Sequence, residues 1–590
     1  MKKLISILIM LLITASIFIL PMSVSAKDKD VITLRISNCE EYIDEGNWDK
    51  DDTIDLDSGD IIGKNSMTTD FENWYYKTYG KKVKVEYSTY GTNEDLYNQI
   101  TLGDNFDLVC PSDYMGMKMI DEDMLVPLSK EFFDTSNKYN YYAKGVSPYI
   151  KNLMDTTKID NKKWSDYSAG YMWGTMGFVY NPDVVSTEDA STWKILENKK
   201  YSRQITIKDS VRDSYFAVLG LINSDKMSTD EFKNSKDYNE QITKLMNDTS
   251  QSTVDKAEER LQGIKDNVYS FETDSGKSDM VSGKVVANFQ WSGDAVYSLD
   301  QAEEDNCYLE YAVPKECSNL WCDGWVMLKQ GINGDKEKQQ VAESFINFVS
   351  RPDNVIRNMY YIGYTSCISG GDDNRIFEYI NWNYGAEDDE ETVDYPVGFF
   401  FTGNSKDKDY IVKTTKDQTK RQLFTQYPTE DILKRCAVMM FFNSDENKRM
   451  NQMWINVRCF NLNSIPSYVW YIVVAVIIIV VLKQYKPEYS MYVSIIAGAI
   501  IIFLSLDKIT AIINLLTNLS KKSGINAEYL GILLKITGIA ILTEFAVSIC
   551  NDAGESAIAT KIDLGGKIII ISISIPIIVA LLELIVKILP

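Results

Sequence analysis

Hydrophobic and polar positions keep three different rhythms along the chain. Behind Lys2 and Lys3, residues 4–20 are predominantly apolar, and Ser23-Val24-Ser25-Ala26 supplies small residues. That order of positive, apolar and small positions predicts a secretory signal over 1–26, with export of the segment after Ala26. From residue 27 the pattern is mixed. Ile32-Thr33-Leu34-Arg35-Ile36 and Val83-Lys84-Val85-Glu86-Tyr87 alternate apolar and polar positions, as half-buried strands do. Phe106-Asp107-Leu108-Val109-Cys110 is a compact apolar run that meets Pro111-Ser112, a strand feeding a turn. Helix-like stretches lie between and beyond them, at 92–101 and 338–350. Strand–helix alternation over about 430 residues predicts an α/β domain with two lobes, whose ligands would sit at the carboxyl ends of strands.

The rhythm changes again at residue 466. Residues 466–482 and 490–506 are strongly apolar runs, 512–519 is short and amphipathic, and 529–550 and 567–589 are further apolar segments. This predicts an α-helical membrane domain of several spans over 466–590. Lys483 and Lys486 close the first run, which puts that end in the cytoplasm and the preceding domain outside.

Composition narrows the chemistry. The 590 residues contain no histidine, which excludes Ser-His-Asp and Cys-His catalysis, histidine-ligated zinc and an imidazole pH switch. With no phosphate loop and no paired nucleophile and base either, the chain does not read as an enzyme, and no cofactor or metal is expected. The net charge is −22. The tail from Pro466 carries +1 and the two N-terminal lysines +2, so the stretch between them carries −25. An acidic exported domain argues against nucleic acid and for cationic or neutral solutes. Nine cysteines are scattered without CxxC spacing, which reads as small buried hydrophobes rather than a disulfide framework. The acidic run 49–60 lacks the spacing of a calcium loop, with Gly59 and Ser66 at the fifth and twelfth positions counted from Asp55; it reads as a solvated loop.

Several separated motifs carry a resemblance. Asn38-Cys39-Glu40-Glu41-Tyr42-Ile43 comes after the first strand, and Cys110-Pro111-Ser112-Asp113-Tyr114 after a later one. Tyr171-Met172-Trp173-Gly174-Thr175-Met176-Gly177, Trp291-Ser292-Gly293-Asp294, Trp321-Cys322-Asp323, Phe345-Ile346-Asn347-Phe348, Arg351-Pro352-Asp353 and Ile362-Gly363-Tyr364 come next in order. Across about residues 31–460 this set resembles the spermidine/putrescine-binding components of ABC importers. The resemblance implies an α/β two-lobed periplasmic-binding-protein-like (type 2) domain with a hinge, covering 27–462. Lobe 1 would comprise about 31–175 and 320–366, and lobe 2 about 177–318 and 370–462. Crossovers would lie near 173–179, 319–321 and 366–370.

The implied ligand is a polyamine, a methylene chain with ammonium groups. It needs carboxylates for the cations and aromatic faces for the methylenes. The resemblance assigns the first role to Glu41, Asp213, Asp294 and Asp323 and the second to Tyr42, Tyr114, Trp291, Trp321 and Tyr364; Ser112 would add a hydrogen bond. Three departures stand out. Cys39 replaces the family's first tryptophan, Ser210-Val211-Arg212-Asp213 stands where the family often has D-A-R-E, and no late polar ligand appears near Val438 and Met439.

The tail, over about 474–590, resembles stage III sporulation protein AD. Lys483-Gln484-Tyr485-Lys486-Pro487, Glu528-Tyr529-Leu530, Leu534-Lys535-Ile536-Thr537-Gly538 and Asn551-Asp552-Ala553-Gly554-Glu555-Ser556-Ala557 carry that likeness. The two resemblances leave two readings. In one, the chain is an extracytoplasmic polyamine (spermidine/putrescine) receptor that partners an importer's permease and ATPase and is held in the membrane by its tail. In the other, it is a membrane component of the mother cell–forespore sporulation complex, with sporulation proteins as partners and a repurposed binding domain.

Overall fold

The computed structural model describes residues 31–387, 390–459 and 556–588, with a scatter of helical residues between 535 and 550. The signal segment 1–26 and the apolar runs 466–482, 490–506 and 512–519 lie outside the described residues, as does much of 529–550. The chain divides into two compact units, Met1–Cys459 and Phe460–Pro590.

In the first unit, strands β1 (Val31–Cys39), β2 (Lys82–Tyr90), β3 (Leu108–Val109), β4 (Ser168–Tyr180), β5 (Ile205–Lys208), β6 (Ser270–Glu272), β7 (Ala287–Trp291) and β8 (Ser318–Leu328) form the spine of one sheet. Their order is β2-β1-β3-β8-β4-β7-β5-β6. Parallel pairing of β1 with β2 and β3 makes one lobe, and parallel pairing of β5 with β7 and β6 makes the other. The long antiparallel strands β4 and β8 run through both and pair with each other from Leu320↔Thr175 to Val326↔Ser168, with a register shift between Asp323 and Gly324. Every residue of β4 is buried. A strand covered on both faces has no alternation, so its sequence shows none.

Helices close the lobes for ordinary reasons. Ser66 caps the helix Met67–Tyr79 through a bond from the Thr69 amide, and left-handed Gly80 ends it. Pro352 opens the helix Pro352–Ile362, and left-handed Gly363 ends it. That second helix matters most for the site, because its Arg357 donates from Nε to Asp44 Oδ2 and from Nη1 to Asp70 Oδ2, both at 2.8 Å.

One boundary differs from the sequence expectation. Lobe 2 does not resume at residue 370. The helix Arg375–Tyr384 packs on Pro352–Ile362, and Gly398–Phe401 packs on Pro148–Thr156, both in the first lobe. Phe400 stacks on Trp173 at 5.5 Å, and the Ser147 hydroxyl donates to the Phe400 carbonyl at 2.6 Å. The chain reaches the second lobe again at Gln422–Gln426, which packs on Ser292–Glu304. An aromatic cluster of Phe377, Phe401 and Tyr410 keeps the intervening segment on the first lobe.

The eight cysteines with described side chains are all free, four of them buried. In the second unit a helix covers Ser556–Ile588, 33 residues. An added Cβ on its Gly566 would lie 2.4 Å from the Thr543 side chain, so glycine permits that close approach. Among the described residues no helix is long and apolar enough to cross a membrane.

Beneath the second lobe's strand ends lies a buried ion pair. Lys208 on β5 meets Glu272 on β6 at 3.2 Å, with both side chains at most 2% exposed. Glu272 also accepts from the Asn288 amide on β7 at 3.2 Å and from the Gly276 amide at 2.8 Å. One carboxylate therefore ties three strands. Removing it leaves a buried ammonium unpaired, at a cost of about 3–5 kcal/mol. Glu272→Ala is expected to lower the unfolding free energy in urea by that amount; a loss below about 1 kcal/mol would show that the pair is not structural.

Candidate ligand-binding site

Four strand ends converge on one cleft, and the residue after each end begins a turn or a helix. β3 runs into Ser112 and the helix Asp113–Asp121, β5 into Ser210 and Val211–Ile222, and β7 into Ser292–Glu304. Each helix carries an acid in its first turn: Asp113, Asp213 and Asp294. Unpaired amides at a helix N-terminus favour negative charge, which eases the burial of Asp113 and Asp213. β1 ends instead in a turn through Glu41, whose φ of 53° is left-handed.

That turn delivers Tyr42 to the cleft. Asp44, fully buried, fixes the loop beyond it: it pairs with Arg357, accepts from the Trp48 indole at 2.9 Å, and its amide donates to the Asn358 side chain at 2.9 Å. The Tyr42 hydroxyl then donates to Asp323 Oδ2 at 2.7 Å. Toward the opposite lobe the Tyr364 hydroxyl donates to Asp294 Oδ1 at 3.0 Å. The two tyrosine rings meet edge to face at 5.4 Å, and Tyr364 leans on Trp321 at 5.6 Å. Trp321 has its indole N–H committed to the Thr175 carbonyl at 3.2 Å. Two carboxylates and a continuous aromatic surface thus form one assembly. Gly293 makes it possible, since an added Cβ there would fall 2.3 Å from the Tyr364 ring. The register shift after Asp323 belongs to the same design, because an irregularity there re-aims a side chain that regular pairing would hold.

A second cluster lies against the first. Lys208 Nζ sits 4.3 Å from the Trp291 ring centroid. Arg212, 8% exposed, lies over Tyr114 at 4.4 Å and over Phe442 at 3.8 Å, and donates to the Met440 carbonyl. Its Nε and Nη1 have no partner among the described residues. Tyr114 donates to Glu94 at 3.2 Å, and the Ser112 hydroxyl accepts from Asn93 at 3.0 Å.

Burial dominates the ionisation of the site. It pushes Asp323 up to about 6, against hydrogen bonds from Tyr42 and Ser112 that pull the other way. Burial, helped by the Asp323 charge, pushes Asp113 up to about 8, opposed by the Tyr114 amide and by Arg212. Asp213 is raised by burial despite Ser210, Lys208 and Trp291 nearby. Cys39 rises to about 12, through burial first and then the charge of Asp323, so it stays a neutral thiol.

Of the residues singled out in the sequence, Tyr42, Asp323, Tyr364, Asp294 and Trp321 are in one contact network, with Ser112 at its edge. Trp291 and Asp213 adjoin it, and Tyr114 enters through Arg212. Glu41 does not join: it is exposed at the turn, and no hydrogen bond or ion pair to it is found among the described residues. Sequence reasoning passes over Asp113 and Arg212, although both lie inside the quoted motifs. Lys277, 3.8 Å from Asp294 and 2.7 Å from Asp274, sits in no motif at all.

Comparison with known proteins finds two families in the chain. Residues 66–375 match the family model of bacterial extracellular solute-binding proteins, and residues 473–519 and 533–588 match that of the stage III sporulation protein AC/AD family. A putrescine-binding periplasmic protein of Pseudomonas aeruginosa is 26% identical over 284 residues, 46% of this chain and 68% of that protein. The tail is 33% identical over 117 residues to stage III sporulation protein AD of Bacillus subtilis, 20% of this chain and 88% of that protein. Among solved structures, a spermidine/putrescine ABC transporter substrate-binding protein from Streptococcus pneumoniae is 22% identical, covers 73% of this chain and 99% of its own, and has a TM-score of 0.47. The chain belongs to the bacterial extracellular solute-binding proteins, which are receptors and not enzymes, and its C-terminal segment belongs to the stage III sporulation protein AC/AD family.

Proposed function

We propose that the chain captures a polyamine in this cleft, outside the cytoplasmic membrane, and presents it to the permease and ATPase of an ABC importer. The tail over 466–590 would hold the receptor at the membrane in place of a lipid anchor, and residues 1–26 would direct its export. The observation that carries the reading is the paired arrangement of Asp323 with Tyr42 and Asp294 with Tyr364, joined by ring contacts. Asp323 is held by neutral hydroxyls alone and Asp294 by Tyr364 with Lys277 3.8 Å away, so an ammonium of the ligand can complete the first and join the second. Tyr42, Trp321, Tyr364 and Trp291 would cover the methylenes, and Asp213 would meet a further cationic end. Ser112 would steady Asp323. Glu41 would act only from the rim, and Tyr114 through the guanidinium that covers its face.

Ligand uptake would proceed by bending of β4, β8 and the stretch that leads into Gln422–Gln426, which connect the lobes. Ring and carboxylate belong to different lobes in the Tyr364–Asp294 contact, so closing completes the site. The energetic logic is that burial has already been imposed on the carboxylates, and a cation placed against them recovers it.

Substitution tests the assignment. Losing one partner of a desolvated charge pair costs about 2–5 kcal/mol, or roughly 30-fold and more in affinity. Asp294→Asn and Asp323→Asn are each expected to weaken putrescine or spermidine binding by at least that factor in calorimetric titrations of the full chain, with unchanged circular dichroism. Parent-like binding by both variants would remove the site assignment.

Ionisation gives a second test. Asp323 binds its proton more tightly in the folded chain (about 6) than at its ordinary value of 3.8. The native state therefore holds the extra proton between about 4 and 6, and stability from this group is lost as pH rises through about 6. The difference amounts to about 2–3 kcal/mol. Without ligand, Asp323→Asn is expected to raise Tm at pH 8 by about 2–4 °C and to leave it nearly unchanged at pH 4. Polyamine affinity of the parent should fall as pH drops through about 6. A variant less stable than the parent at pH 8 would contradict the assigned burial cost.

A further inference from the structure

Resting on the polyamine reading, we infer that Lys277 sets the affinity of the cleft: it is a tethered ammonium that contends with the ligand for Asp294 and has Asp274, at the rim, as its alternative partner. Binding of an amine at Asp294 is then governed by how the protein divides Lys277 between two acids.

Placement comes first. Lys277 lies in the first turn of the short helix Gly276–Val281, which packs on the helix Ser292–Glu304 that carries Asp294. Gly276, just before it, has no room for a side chain: an added Cβ would fall 2.2 Å from the Asn288 side-chain nitrogen and 2.6 Å from Glu272 Oε1. Its amide donates to Glu272 Oε2 at 2.8 Å. The backbone beside Lys277 is thus fixed on the floor of the second lobe, and freedom is left to the side chain.

Two carboxylates lie within reach of that side chain, and they differ. Asp274 Oδ1 is 2.7 Å from the Lys277 nitrogen, on a side chain that is 79% exposed; Asp294 Oδ1 is 3.8 Å away, on one that is 17% exposed. An ion pair with an exposed carboxylate contributes little, whereas one with a shielded carboxylate is screened less. Burial opposes the charge on Lys277, yet Asp294 and then Asp274 hold its proton more tightly than in a free lysine. The group therefore stays an ammonium, and its flexible four-carbon stem lets it turn from one acid to the other.

A ligand ammonium arriving at Asp294 meets this like charge. It either displaces Lys277 toward Asp274 or binds beside it against repulsion. In both cases the lysine weakens the cationic end of the ligand, and Asp274 relieves the conflict by drawing the lysine away. Asp323 differs, being held by the hydroxyls of Tyr42 and Ser112. The two ends of the cleft are therefore unequal, and Lys277 makes them so.

A double-mutant cycle, read by calorimetric titration of the full chain with putrescine at pH 7.5, tests this. Lys277→Met is expected to tighten binding about tenfold, and Asp274→Asn, which leaves Lys277 to Asp294, to weaken it about threefold. In the Lys277→Met background the Asp274→Asn change should have no effect, because Asp274 acts only through the lysine. Lys277→Arg, which keeps the charge, should bind no more tightly than the parent. Parent-like or weaker binding by Lys277→Met with an unchanged Tm would overturn the inference and leave the polyamine reading standing. So would an Asp274→Asn loss that persists without Lys277, the mark of a general surface-charge effect. Should Lys277→Met fail to fold, Asp274→Asn decides alone, and parent-like affinity in it overturns the inference. Absence of binding heat in the parent and every variant would overturn the reading and the inference together.

Discussion

A carboxylate kept from water with only a hydroxyl as its partner is the constraint around which the first unit is organised. Such a group is costly to bury unless a cation joins it. Asp323 is in that position, held by the hydroxyls of Tyr42 and Ser112, and Asp294, held by Tyr364, has its nearest cation, Lys277, 3.8 Å away. The rest of the lobe architecture exists to hold them there. Helix N-termini at the ends of β3, β5 and β7 soften the local negative charge. The Asp44–Arg357 pair anchors the turn that presents Tyr42, and Lys208–Glu272 anchors the floor beneath Trp291.

The same contacts couple recognition to movement. Tyr364 approaches Asp294 only because Gly293 has no side chain, and Arg212 bridges lobes through Tyr114. In the proposed reading, a ligand that satisfies the carboxylates would therefore also favour the approach of the lobes.

Much of this is visible in the sequence, and what is not has physical causes. β1 and β2 alternate because one face of each is more exposed, and β3 is recognisable as an apolar run before Pro111. β4 is buried along its whole length and carries no periodic signal. The resemblance puts the return to the second lobe at 370, and the aromatic packing of Phe377, Phe400 and Phe401 against the first lobe moves it to about Gln422. Motif residues are drawn into the contact network where a backbone feature enforces their direction, as with Asp294 after Gly293. Glu41 is not, because a left-handed turn swings it to the surface. Arg212 and Lys277 escape motif reasoning because their meaning depends on which carboxylates lie beside them in space.

The central claim is that a cation from solution completes buried carboxylates whose proton affinity has been raised. Proton release on binding measures it most directly. Titration of the full chain with putrescine at pH 6, repeated in two buffers of different ionisation enthalpy, gives the number of protons exchanged. Asp323, at about 6, should release up to about half a proton as the ammonium arrives. Binding heats identical in both buffers, with no proton released, would contradict it.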